Sequence, residues 1–378
     1  MKLTKLMLSA CVAALALVAC NKEEAGPQVP NRLKTVEISL ENFVLTKGEA
    51  GEKIKAGDAV IVNDFKIFLT DASGNQYSAK VANGVADAKT YWGAEELVNG
   101  LPTDEAVFHY VDPNCTKVIA VANVGKDITF AEFKNLANLK VEDQQNQKSL
   151  VLYDEATLTS AGRRHEDKNS NGGTYLADVY EAKLVLSPRV SRFEVDGFVV
   201  NFGEEPKYDE IKITQIAFQN YYPETAVATG TETGSLVNHI KDLANQAEVY
   251  AWLDTPQDPN PWYRDNFELT ITPEDNEADT PKDLAYHMFS CNTAPVMVIK
   301  LLADGQPAYL YTKGFFKKDG TPVTEFAEGT IYRMGGAGDA YGDGSIPIDE
   351  DDIDPMDRCL EITVEVVDWA VELVYPEF

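Results

Sequence analysis

Val36-Glu37-Ile38-Ser39-Leu40-Glu41 near the start and Leu360-Glu361-Ile362-Thr363-Val364-Glu365-Val366 near the end each alternate apolar and polar side chains one for one. Successive side chains of a β-strand point to opposite faces, so this pattern sets one apolar face on a core and one polar face in water. The phase slips at Val367, after which Trp369, Val371, Leu373 and Tyr375 carry the apolar set. A bulge or bend is therefore expected to divide the tail into two strand segments. Each chain end fits two uses: an ordinary strand of its own domain, or a strand that fills a groove lacking one.

The same period of two, rich in β-branched and aromatic residues, recurs between the ends and is broken at short intervals by Gly, Pro, Asn and Asp. It predicts strands over 35–43, 59–70, 116–124, 180–186, 192–202, 210–218, 267–271, 296–302 and 308–315, the inventory of an all-β sandwich protein. One minor helix is signalled by Thr129 with Glu132 three residues on, a capping box, followed by Phe130, Phe133, Leu136 and Leu139 on one face. The stretches 254–260 and 272–281 read as loops, because prolines and acidic clusters oppose a central strand. Composition dips over 163–173, and Ser187-Pro188 marks a break between domains, since a residue before proline is pushed to extended geometry.

Residues 1–19 have the positive start, short apolar run and small-residue end of a secretory signal peptide. The apolar run is too short for a bilayer-spanning helix. Leu17-Val18-Ala19-Cys20 resembles a bacterial lipobox, which makes Cys20 the acylated first residue of the mature chain, and Asn21-Lys22-Glu23-Glu24 looks like a surface-export signal. A formal charge of -28 over 378 residues opposes nucleic acid and anionic membrane as partners. The mature body then holds Cys115, Cys291 and Cys359, too few and too far apart for a disulfide framework or zinc site.

Catalytic signatures are lacking: the four histidines, His109, His165, His239 and His287, sit in unrelated contexts, with no HExxH, GxSxG or CxxC. No enzyme activity and no cofactor are expected. Asp167, Asn169 and Asn171 with Asp178 approach the spacing of a calcium loop, as do Asp339, Asp343 and Glu350. Turns demand the same residue types, and the expectation is no metal. The run 349–352 reads as a solvated linker into the tail. Tyr221-Tyr222, Trp252 and Trp262-Tyr263 form either a stacking platform or the closed end of a sandwich core.

In order along the chain, the lipobox at Cys20, the strand Thr35–Leu40, the strand Val60–Leu69, Val118-Ile119-Ala120-Val121-Ala122-Asn123-Val124 with a helix after it, the basic Leu186–Phe193 and Ile362–Trp369 resemble the FimA-like fimbrillins. These are lipoprotein precursors of the major and minor subunits of type V pili, and the likeness spans nearly the whole chain. It implies two transthyretin-like β-sandwich domains in tandem, 33–187 and 188–378, after an acylated tether at 20–32. It implies, too, a palmitate-bearing outer-membrane lipoprotein precursor of a Gram-negative bacterium that matures into an extracellular fimbrium mediating cell adhesion. Its partners would be other fimbrial subunits, an activating extracellular protease, a surface receptor on host or bacterium, and the lipid anchor before assembly.

In that family a protease cuts after the first strand, the strand leaves, and the groove accepts the terminal strand of the next subunit, a donor-strand exchange resting on β-augmentation. Carried over, Val36, Ile38 and Leu40 form the removable plug, and Ile362, Val364, Val366, Trp369, Val371 and Leu373 form the donor. Six such side chains at roughly 1.5–3 kcal/mol each give on the order of 10 kcal/mol before ordering costs. The chain departs from the family's pattern in its loop at 45–58, which holds no arginine. Lys47, Lys53 and Lys55 are the cleavage candidates there, whereas Arg32 precedes the plug. The alternative reading is a monomeric surface lipoprotein that binds glycan or host protein.

Overall fold

A computed structural model describes residues 33–374 except 42, 47–59, 83, 85, 94–95, 97–106, 126, 136–138, 147–149, 169–173, 228, 257–260, 318, 335–336, 340–341, 344, 354–357 and 369–370. Its principal strands in the first half are β1 (Lys34–Glu41), β2 (Phe43–Thr46), β3 (Val60–Ile61), β4 (Asp64–Thr70), β5 (Val107–Val111), β6 (Lys117–Ala122), β7 (Leu152–Thr157), β8 (Thr159–Lys168) and β9 (Thr174–Val185). Helix α1 (Phe130–Asn135) lies between β6 and β7. One sheet is ordered β8-β9-β1-β5, and another runs β7-β6-β4 with short flanking ladders.

The apolar run Val118–Ala122 is buried throughout because β6 is covered on both faces. One face joins the core shared with Phe65, Ile67 and Leu69 of β4. The other meets α1, where Phe133 stacks on Phe68 at 5.3 Å and on Tyr153 at 6.1 Å between ring centroids. The capping box forms as its spacing predicts: the Glu132 carboxylate accepts from the Thr129 amide at 2.8 Å, and the Thr129 hydroxyl accepts from the Glu132 amide at 3.1 Å. Asn123 ends β6 at φ 61, a left-handed conformation that asparagine tolerates better than most residues. Its side chain ties the turn by accepting from the Asn63 amide and donating to the Leu150 carbonyl, both at 2.8 Å.

The second half comprises β10 (Ser191–Asn201), β11 (Ile211–Gln219), α2 (Gln246–Leu253), β12 (Arg264–Ile271), β13 (Glu277–Met288), β14 (Val296–Ala303), β15 (Gln306–Lys317), β16 (Thr330–Met334), β17 (Ser345–Asp349), β18 (Cys359–Asp368) and β19 (Val371–Val374). All of these strands but β19 belong to one large sheet ordered β12-β11-β14-β15-β18-β16-β10-β13, with β17 also on β10. Its two ends approach each other, for the Tyr286 hydroxyl of β13 donates to Asp265 of β12 at 3.0 Å. The chain is thus all-β with minor helices. Pairing passes from the first sheets to the large one at 188–191, where Pro188 still pairs with Leu152 and Ser191 opens β10.

One loop expectation is corrected. Residues 277–281 lie in β13, not in a loop: the ladder with β10 breaks between Val195 and Gly197, and Pro281 falls in that irregular stretch, where no ladder amide is demanded of it. Gly197 permits the close approach, since a Cβ there would lie 2.9 Å from the Ala278 carbonyl oxygen. The stretch 163–173 contributes Arg163–Lys168 to β8, whose pairing with β9 is fastened by Arg164 and Asp178 at 3.0 Å. Cys115 and Cys291 are buried and Cys359 is half-buried, and these three form no disulfide with one another.

The halves meet through a short ladder pairing Leu139-Lys140 with Glu224-Thr225 and through His287. His287 donates through Nδ1 to the Gln144 carbonyl at 2.6 Å, which leaves Nε2 to accept from Arg192 Nη1 at 3.2 Å. Burial and the Arg192 charge hold its pKa down to about 3. The unfolded chain takes up this proton near about 6.5, so the stability this group provides is complete above that pH and is lost as pH falls toward 3. We expect His287 to account for ~3 kcal/mol of the stability lost between pH 7 and pH 4. Urea midpoints at the two pH values should therefore differ less in His287→Gln than in the parent; equal differences would remove His287 as the cause.

Candidate assembly interface

β1 is bonded along both edges. It runs parallel to β9 from Lys34 opposite Asp178 to Glu41 opposite Val185, and antiparallel to β5, with Val36 opposite Phe108. The alternation read from the sequence is realised in burial: Val36 is fully buried and Ile38 is 6% exposed, both in the core with Phe108, Ala182 and Leu184, while Leu40 is half-buried against it. Lys34 is a site residue that sequence reasoning missed, because a lysine at a strand start reads as solvated. It is 4% exposed. Its Nζ donates to the Cys115 carbonyl and lies 4.5 Å from the Tyr180 ring centroid, and burial lowers its pKa.

On the outward face, Glu37 meets Arg163 in a two-pronged ion pair across β9, one prong at 2.9 Å, and Arg163 also reaches Glu181 at 3.0 Å. The guanidinium holds the Glu37 carboxyl below its ordinary range. His109 of β5 and His165 of β8 lie beside this cluster with ring centroids 5.2 Å apart, so these two histidines share a context that their separation in sequence hid.

The tail is in two segments, as its phase slip predicts, but they do different things. β18 lies inside the large sheet: Cys359–Val364 pairs parallel with β15, and Val364–Asp368 pairs antiparallel with β16. Ile362 is fully buried there. Ile362, Val364 and Val366 are thus on a strand of the chain's own sheet. Val371 and Leu373 are on β19, which runs parallel between β2 and β3, Val371 opposite both Phe43 and Val60. Trp369 lies outside the described residues, as do Lys47, Lys53, Lys55, Arg32 and Cys20.

Among the calcium candidates, Asp167 and Asp178 lie on paired strands, Asp178 engaged by Arg164, while Asn169 and Asn171 are outside the described residues. Asp339 and Asp343 fall on a small two-strand ladder. The acidic run is not a solvated linker at Glu350. That side chain is 4% exposed and accepts from the Gly203 amide at 2.7 Å and the Lys207 amide at 2.8 Å, partners from a distant loop that no local pattern reveals. The aromatic group assembles as a cluster, with Tyr221 and Trp262 edge-to-face at 4.7 Å and His239 stacked between Trp252 and Tyr263.

No protein-family model and no curated protein matches the chain. Among solved structures it is similar to a fimbrilin (FimA) from Porphyromonas gingivalis W83, with 12% identity, TM-score 0.44, and coverage of 91% of this chain and 99% of that one. It is also similar to the tip fimbrial protein Mfa3 from Porphyromonas gingivalis, with 11% identity, TM-score 0.36, and coverage of 90% and 100%. A third match is a fimbrial assembly protein from Parabacteroides distasonis, with 9% identity, TM-score 0.36, and coverage of 82% and 93%.

Proposed function

We propose that the chain is a non-enzymatic structural subunit of a cell-surface fimbria, made as an outer-membrane lipoprotein acylated at Cys20 and built from two tandem transthyretin-like sandwiches. Assembly proceeds by strand exchange: cleavage within 47–59, at Lys47, Lys53 or Lys55, frees β1, and the terminal strand of a neighbour takes its place. The observation that carries this reading is the position of β1. It is the first described strand, it is bonded on both edges, and it lends Val36 and Ile38 to the core. Its removal would leave two unpaired edges, on β9 and β5, above an apolar trough. Such a trough binds an incoming strand through main-chain hydrogen bonds, with alternate side chains in pockets. The donor in this reading is the end of the tail, Val371 and Leu373 on β19, rather than β18, which is paired on both sides within the large sheet.

Limited trypsin digestion of the non-acylated chain, with mass spectrometry of the cuts and size-exclusion chromatography of the product, tests this reading. We expect cutting at the three lysines, loss of the fragment carrying β1, and growth into large polymers. A product cleanly cut there that has lost the fragment yet stays monomeric would refute exchange and favour the monomeric binding lipoprotein.

A further inference from the structure

A cavity of about 470 Å³ opens where the two halves meet. This lies within the roughly 300–1,000 Å³ of small-ligand sites. The first half supplies Lys140 and Glu142 to its wall, and the second supplies Tyr221, Glu224, Trp262 and Tyr263. Trp262 stands edge-on to Tyr221 at 4.7 Å and to Tyr263 at 5.7 Å, interplanar 88° in the second pair, so the rings form a right-angled corner. The corner is braced from behind by the stack of Tyr263 on His239 at 4.7 Å and His239 on Trp252 at 5.1 Å. The same wall holds one ammonium and two carboxylates, with Lys140 and Glu142 3.7 Å apart and both well exposed.

We propose that this cavity binds a neutral oligosaccharide. The electron-rich faces of the aromatic corner suit the polarised C–H face of a pyranose ring. The carboxylates accept from sugar hydroxyls and the ammonium donates to them, which gives orientation. The two carboxylates repel an anionic ligand; Lys140 is paired with Glu142 at 3.7 Å, which leaves Glu224 as net negative charge, so an ammonium ligand of the kind an aromatic cage captures is the competitor to test. Because the wall draws on both halves, a bound sugar would bridge them. The proposal stands apart from strand exchange, since the cavity is complete in the uncut chain.

Saturation-transfer NMR and calorimetry on the uncut chain, with lactose, maltose and cellobiose as separate probes and choline as the competitor, decide it. We expect at least one disaccharide to bind with a Kd of about 1 mM or tighter. Trp262→Ala should weaken that binding about tenfold or more, and Glu142→Gln and Lys140→Ala by about threefold each, with thermal midpoints unchanged for the two exposed positions. Should Trp262→Ala fail to fold, those exposed variants carry the test. Binding of none of the three sugars, binding of choline alone, or sugar binding unmoved by the variants would each overturn the proposal. Polymer growth after cleavage is read separately, so a failure here leaves the assembly reading intact.

Discussion

Deleting residues 371–378 is expected to leave a folded monomer that no longer grows into polymers after cleavage, whereas deletion from Ile362 onward is expected to unfold the second half. The difference follows from what each cut removes. The longer deletion strips the fully buried Ile362 and most of β18, which lies between β15 and β16 in the large sheet. Emptying one buried isoleucine site costs about 2–5 kcal/mol by itself. The lost ladders on both sides expose backbone groups in addition. Against a typical total stability of roughly 5–15 kcal/mol, that is enough to abolish the fold. The shorter deletion removes β19, which pairs outside that sheet, with β2 and β3. Circular dichroism and thermal melts separate the two truncations, and size exclusion after trypsin reads the growth. A 371–378 deletion that still polymerised would move the donor elsewhere in the chain.

The second large effect is expected at Glu194. Its carboxylate is 4% exposed and holds two guanidinium groups, Arg192 at 2.6 Å and Arg333 at 3.2 Å, and Arg192 is 3% exposed. Removing the shared anion strands a buried cation, and breaking such a set costs about 3–5 kcal/mol. Glu194→Gln should therefore lower the unfolding free energy by that order in urea titrations at pH 7. The double variant Arg192→Met Glu194→Leu should recover part of the loss, because the uncompensated charge goes with it. A single variant within 1 kcal/mol of the parent would show that water reaches the cluster. The contrast is Glu37 with Arg163, a pair of comparable geometry whose partners are 30% and 48% exposed. Pairs of that kind are worth about 0.2–1 kcal/mol, so Arg163→Ala is expected to leave β1 in place.

What the sequence made legible was whatever short-range chemistry determines. The Thr129–Glu132 capping box, the strands around Val36, Val118 and Ile299, and the division of the tail after its phase slip follow from residues a few positions apart. The β8–β9 pair escaped notice because Arg163, Arg164, Glu166 and Asp167 look like solvent, and only the partner strand turns Arg164 and Asp178 into a cross-strand pair. Pro281 looked incompatible with a strand because the irregular ladder that accommodates it is set by Gly197, 84 positions earlier. Glu350, Lys34 and His287 are buried polar groups whose partners lie far away in sequence, and periodicity carries no trace of them. The direction in which Ile362 commits itself is likewise a matter of sheet order, which alternation cannot reveal.

The two neighbours of β1 run in opposite directions, β9 alongside it and β5 against it. In the proposed exchange the slot left by β1 would therefore not be symmetric end to end: its hydrogen-bonding registers would differ between the two edges, and a strand entering backwards would meet a different ladder. A neighbour that adopted the direction of β1 would form a head-to-tail contact between unlike surfaces, leaving a fresh slot or a fresh strand at each terminus and no two-fold axis to close on. The resulting filament would have a leading end and a trailing end, with every subunit facing the same way along its length.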